Sequence, residues 1–172
     1  MARVQSLSIG QAPASAQASL HAVEKATGFL PNMFKVLANS PASLGAYLQA
    51  QQQLSKGELT APERETVALA VSEVSACEYC LAAHSHFARK AGLSDDAIRA
   101  ARNGTGNAIA AFASTVARER GRLSDADIAA AHEAGLTDSK LVEIIAVAAQ
   151  LTFTNFLNNV AQSEVDFPPV EA

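Results

Sequence analysis

The 172-residue chain has no tryptophan, two tyrosines, seven phenylalanines, two methionines and two cysteines. At 5% aromatic content it has little of the aromatic surface from which sandwiches and barrels are built. Six prolines and nine glycines exclude collagen-like or linker-dominated architecture. Charge of one sign is also missing, since 13 basic residues stand against 17 acidic ones for a formal net of −4. The densest basic group, Arg118, Arg120 and Arg122, is broken by Glu119, so no stripe offers itself to nucleic acid. The opening Met1 to Ser8 has no apolar signal-peptide core. The most apolar stretch, Leu141 to Leu157, contains Glu143, Gln150 and Asn155, which would be costly in lipid. These absences lead to the expectation of a soluble cytoplasmic protein, where two cysteines suggest redox or metal chemistry more than a structural staple.

What is abundant is alanine, 37 residues of it, the best helix former and a poor strand former. Helix starts are written out plainly. Leu93-Ser94-Asp95, Leu123-Ser124-Asp125 and Leu136-Thr137-Asp138 each pair a capping hydroxyl with an acid in the first turn. The leucine before each cap and the Ile or Leu four residues after it fit a hydrophobic staple. Their unequal spacing argues against a sequence repeat. Thr60 and Glu63 suit a capping box, and Ser40-Pro41 opens a further helix. The resulting map has helices near 14–27, 31–38, 41–55, 61–75, 77–91, 95–103, 107–121, 125–134 and 138–163, with Gly92 and Gly135 just past helix ends. The fold class expected is all-α, one domain over 1–172 with its chemistry between about 60 and 104. The last helix, apolar nearly all round, belongs at the centre or at a subunit contact. The tail around Val165 to Pro169 should run extended.

Chemistry concentrates in Glu65, Cys77-Glu78-Tyr79-Cys80 and His84-Ser85-His86. With a helix starting near Cys77, Cys77, Cys80 and His84 share one face. Both cysteines then feel the positive helix end, which favours thiolate. His84, one turn after Cys80, can take or hold its proton, while His86 points elsewhere. Two thiols at this spacing can close a disulfide, one attacking and the other resolving. Cys80, paired with His84, is the better nucleophile. Cys77, at what should be the more exposed tip, suits resolving and meeting an outside reductant. Glu65 on the preceding helix can return to orient the His84 ring, completing a nucleophile, base and orienter. Other readings stay open: zinc held by Cys77, Cys80, His84 and either His86 or Glu65, or two buried structural cysteines. A c-type haem site needs histidine where Leu81 stands, and a thioredoxin motif needs a preceding strand. Asn155, Asn158 and Asn159 on the last helix either serve a substrate or satisfy each other and a neighbouring backbone across a subunit contact.

The run Glu65…Cys77-Glu-Tyr-Cys80-Leu-Ala-Ala-His84 followed by Gly92-Leu-Ser-Asp resembles the core of alkylhydroperoxidase D-like proteins of the carboxymuconolactone decarboxylase superfamily. Gly28-Phe-Leu-Pro-Asn-Met-Phe, Asn39-Ser-Pro41, Phe156-Leu-Asn158-Asn159 and Asp166-Phe-Pro168 extend the resemblance toward its peroxidase-related branch. The resemblance implies an all-helical, AhpD-like domain assembling as trimers or hexamers. It implies a thiol-dependent peroxidase or disulfide reductase acting on hydroperoxides or disulfides, with Cys80 attacking, Cys77 resolving, and His84 and Glu65 handling protons. No cofactor is implied. An external dithiol, a lipoyl group or a thioredoxin-like protein, would regenerate the pair. The alternatives are a thiol–disulfide oxidoreductase or redox sensor with little peroxidase activity, and a non-catalytic metal-binding assembly module. One position departs from the pattern: Tyr79 occupies the place of a relay histidine, and a phenol of pKa about 10 relays protons poorly at neutral pH.

Overall fold

The computed structural model describes residues 3–169. A short 3₁₀ turn (Ile9–Gln11) precedes helices α1 (Ala14–Thr27), α2 (Asn32–Leu37), α3 (Pro41–Leu54), α4 (Ala61–Val74), α5 (Glu78–Lys90), α6 (Asp95–Arg102), α7 (Ala108–Glu119), α8 (Asp125–Glu133) and α9 (Asp138–Ala161). No strand occurs among the described residues, and the fold is all-α. The hydroxyls of Ser40, Thr60, Ser94, Ser124 and Thr137 each accept a backbone N–H at the head of a helix, worth about 1 kcal/mol apiece. Gly92 and Gly135 take the left-handed conformation (φ 96° and 89°) that closes a helix end. The 3₁₀ turn was not expected, although Ser8 and Gln11 form the reciprocal cap that marks it.

α4 is the hub, packed against α5, α6, α7 and α9. Every residue from Thr66 to Ser72 is buried, and each fully buried Val or Leu there contributes roughly 1.5–3 kcal/mol. One core cluster joins α4 to α7, α8 and α9 through Val67, Val71, Phe112, Ile144 and Leu151. A second gathers the N-terminal elements, the start of α5 and the tail through Leu20, Phe34, Leu44, Cys77, Tyr79, Cys80 and Phe167. Both cysteines belong to this second cluster.

α9 is half-buried rather than central. Leu141, Ile144, Val147, Ala148, Leu151, Thr154, Asn155, Asn158 and Ala161 face inward, while Val142, Ile145, Phe153, Phe156 and Val160 are exposed. It is the one helix among the described residues long and apolar enough to cross a membrane, yet its polar side chains are engaged within the fold. The Glu143 carboxylate accepts the backbone N–H groups of Glu58 and Leu59 at 2.8 and 3.0 Å. Those two bonds lower its pKa below the usual carboxylate value and fasten α9 to the entrance of α4. Gly57 makes room for this clasp, because a Cβ there would overlap the Glu143 carboxylate.

Candidate active site

The site begins at the reversal between α4 and α5. Ala76 adopts φ 47°, the N–H of Ala76 donates to the Glu73 carbonyl, and that of Cys77 to the Ser72 carbonyl. This is a Schellman closure with alanine where glycine is usual. A left-handed non-glycine residue costs roughly 1–2 kcal/mol. It lets the chain turn within three residues, so that α5 runs back along α4.

Cys77 is the cap of α5 rather than its first helical residue, and its sulfur accepts the Cys80 N–H at 3.3 Å. Cys77 and Cys80 are joined as a disulfide with Cα atoms 5.3 Å apart, within the ordinary range for such a bridge. Cys80, in the first turn, also accepts from the side-chain amide of Asn158 on α9 at 3.3 Å. Each sulfur thus meets an N–H donor at the positive end of a helix, a setting that favours thiolate once the bond is reduced.

The antiparallel return brings Glu65 to His84, with Nδ1 of the ring 2.8 Å from the Glu65 carboxylate and both side chains 21% exposed. A carboxylate can only accept, so Nδ1 carries the proton and Nε2 is the ring nitrogen left to accept one. Glu65, Cys80 and His84 line one cavity of about 900 Å³. Its walls are mainly apolar, with Met33, Phe34, Tyr47, Leu48, Phe87 and Phe167 prominent. Sequence reasoning gave these wall residues no role in the site, because they come together only through packing between distant segments.

Cys77 does not sit where the sequence suggested. It is fully buried, Cys80 is 3% exposed, and only Cys80 lines the cavity. The helix tip expected to be exposed is covered because the N-terminal helices and the tail pack over it in one cluster. Cys77 therefore has no direct route to an outside reductant.

Tyr79, in the position of the missing relay histidine, accepts the Met33 N–H at 3.2 Å and stacks edge-on against Phe167. Burial first, and then the nearby Asp166, push its pKa far above the ordinary phenol value. It remains a neutral strut. Tyr47 is likewise pushed up to about 12 by burial and by the charge of Glu65. His86 packs between Phe87 and Phe167, away from the sulfurs. No three His, Cys, Asp or Glu side chains converge on a point that could hold a metal among the described residues, so the zinc grouping does not form. The three asparagine amides do not donate to one another. Asn155 donates to Ser72 Oγ at 3.0 Å and Asn159 to the Ser75 carbonyl at 2.9 Å, whereas Asn158 ends on Cys80.

The carboxymuconolactone decarboxylase family matches residues 41–115, the segment from α3 into α7 that holds all four site residues. The fold overlays that of an AhpD-core, uncharacterised peroxidase-related protein from Ralstonia eutropha JMP134 with TM-score 0.84. That pair shares 23% identity over 96% of this chain and 92% of the other. Residues 41–115 are thus similar to the carboxymuconolactone decarboxylase family, and the fold is AhpD-like. The AhpD-like chain is also similar to a peroxidase-related protein from Silicibacter sp. TM1040, with TM-score 0.80 and 21% identity over 94% and 90% of the two chains. A third similar structure is the debrominase Bmp8 bound to 2,3,4-tribromopyrrole, with TM-score 0.80 and 19% identity over 96% and 92%. No curated protein matches the sequence.

Proposed function

We propose that this AhpD-like protein is a dithiol oxidoreductase that reduces organic hydroperoxides, with Cys80 as nucleophile and Cys77 as resolving thiol. The observation that carries the reading is the single cavity onto which Cys80, His84 and Glu65 all open. His84 Nε2 takes the Cys80 proton, and the thiolate attacks the outer peroxide oxygen. The O–O bond breaks, Cys80 becomes a sulfenic acid, and the alkoxide leaves with a proton from the imidazolium. The Cys77 thiol then displaces hydroxide from that sulfenic acid, giving the disulfide and water. A dithiol restores both thiols by exchange, leaving as its own disulfide. Glu65 orients the ring and stabilises its charged form in transit.

The apolar walls favour an organic substrate over hydrogen peroxide, since water-like molecules gain nothing from them. Burial of both sulfurs favours a reductant slender enough to enter the cavity, a dithiol on a flexible arm such as a lipoyl group, over a globular thioredoxin-like protein. In a reducing compartment such as the cytoplasm the bridge would be transient and catalytic. Stopped-flow oxidation of the reduced protein tests the reading. Cumene hydroperoxide should react at least tenfold faster than hydrogen peroxide, and both faster than free cysteine. Rates no faster than free cysteine would remove the peroxidase activity and leave thiol–disulfide exchange. The same assay with a brominated pyrrole tests a second reading, reductive dehalogenation, favoured by the aromatic cavity walls and the likeness to the debrominase. Bromide release coupled to disulfide formation would establish it.

The exposed face of α9 is assigned to a second copy of this chain. From Ile144 to Ser163 the helix and its end carry no charge, and Val142, Ile145, Phe156 and Val160 are each between 47% and 65% exposed, an apolar stripe unlike a solvated surface. Sedimentation should find an assembly, a trimer or hexamer by family resemblance, that Phe156→Glu shifts toward monomer. A monomeric wild-type protein would overturn this assignment.

A further inference from the structure

Position 158 lies on the inner face of α9, in register with Leu151, Thr154, Asn155 and Ala161, where an apolar residue would pack without loss. Asn158 instead is 97% buried and its amide N–H donates to Cys80 Sγ at 3.3 Å. Its carbonyl oxygen has no partner and is sealed from solvent. A buried amide satisfied on one side only is an expensive way to fill space. Its neighbours differ in kind, because Asn155 and Asn159 end on oxygen atoms of α4 and its exit turn. Only Asn158 ends on the sulfur that reacts.

We infer that Asn158 sets the ionisation and redox poise of Cys80 by donating its side-chain amide to the thiolate. The inference rests on the reading of Cys80 as the reacting sulfur, but not on which oxidant it meets. In the disulfide the acceptor is a neutral, weakly accepting sulfur. After reduction the same N–H faces an anion, and the bond becomes charge-assisted and roughly twice as strong. The amide therefore stabilises the reduced, ionised state more than the oxidised one. The buried surroundings strengthen the effect, since little water competes for the sulfur. The other titratable groups around the cavity are Tyr47 from α3, Glu65 from α4, and Tyr79, His84 and Lys90 from α5. α9 adds no charge between Glu143 and its end. On α6, Asp95 and Arg102 are paired with Arg89 and Glu73.

The test measures the sulfur rather than turnover. In a Cys77→Ser background the pH dependence of iodoacetamide alkylation reports the ionisation of Cys80. Asn158→Ala and the similarly shaped Asn158→Leu should each move that profile upward by about one pH unit, while Asn155→Ala should leave it in place. With both cysteines present, either Asn158 variant should make the disulfide several-fold harder to reduce at equilibrium with dithiothreitol. Unchanged profiles and equilibria in both variants would overturn the inference. Should the variants fail to fold, the wild-type protein decides. The side-chain amide resonances of Asn158 must shift as Cys80 titrates and again on oxidation, and resonances that stay fixed would overturn it. A chain that ignores peroxides yet shows these shifts loses the peroxidase reading alone, and a working peroxidase without them loses the role of Asn158 alone.

Discussion

Cys80→Ser should lose its reaction with hydroperoxide by roughly 10³-fold or more, falling to the background of a chain with neither cysteine. Cys77→Ser should oxidise once, at close to the wild-type rate, and stop. The asymmetry follows from access: Cys80 lines the cavity, whereas Cys77 is fully buried and caps α5 behind it. An oxidant entering by the cavity meets Cys80 first, and in the wild type Cys77 needs only to displace hydroxide from the neighbouring sulfur. Intact-mass spectrometry distinguishes the outcomes. The Cys77→Ser protein should gain one oxygen on Cys80, the wild type should lose two hydrogens, and Cys80→Ser should stay unchanged over the same interval. Oxygen appearing on Cys77 of a rapidly reacting Cys80→Ser protein would invert the two roles. Because Cys80 is buried, the Cys77→Ser product should also resist dimerisation through sulfur.

The contrast between the two cysteines also separates what could be read along the chain from what could not. Helix boundaries were legible because caps are local. Ser94, Ser124 and Thr137 satisfy backbone donors only three residues away, and Gly92 and Gly135 close helices within a single turn. The approach of Glu65 to His84 was legible for a related reason: they lie 19 residues apart on consecutive helices, and a tight reversal leaves them few places to go. The burial of Cys77 was not legible, since helix geometry gives its direction but not what covers it. The covering cluster includes Leu20, Phe34 and Phe167, drawn from both ends of the chain. Asn158 was visible as an unusual residue, yet its partner is 78 positions away. Nothing in its neighbourhood of the sequence distinguishes it from Asn155, which ends on a serine hydroxyl instead. Local hydrogen-bond chemistry thus revealed the scaffold and half of the site. The cavity and the second donor to sulfur depend on packing between distant segments.

Glu65→Gln should slow Cys80 oxidation by about 10²-fold, while His84→Gln should slow it further. The first substitution keeps the shape of the side chain and a possible hydrogen bond to Nδ1, so it isolates the charge. Without the carboxylate the Nδ1 proton loses its charged acceptor, and the glutamine amide can equally donate to that nitrogen and hold the ring in the wrong tautomer. Nε2 would then carry a hydrogen and could not accept one from Cys80. The double variant is decisive. If the carboxylate acts only through the imidazole, Glu65→Gln combined with His84→Gln should be no slower than His84→Gln alone, because members of one unit are strongly non-additive. If the losses multiply instead, Glu65 works on the substrate or on Tyr47 independently, and the proposed relay from sulfur through imidazole to carboxylate is wrong. Stopped-flow oxidation of the four reduced proteins, with circular dichroism to confirm equal helicity, supplies the whole comparison.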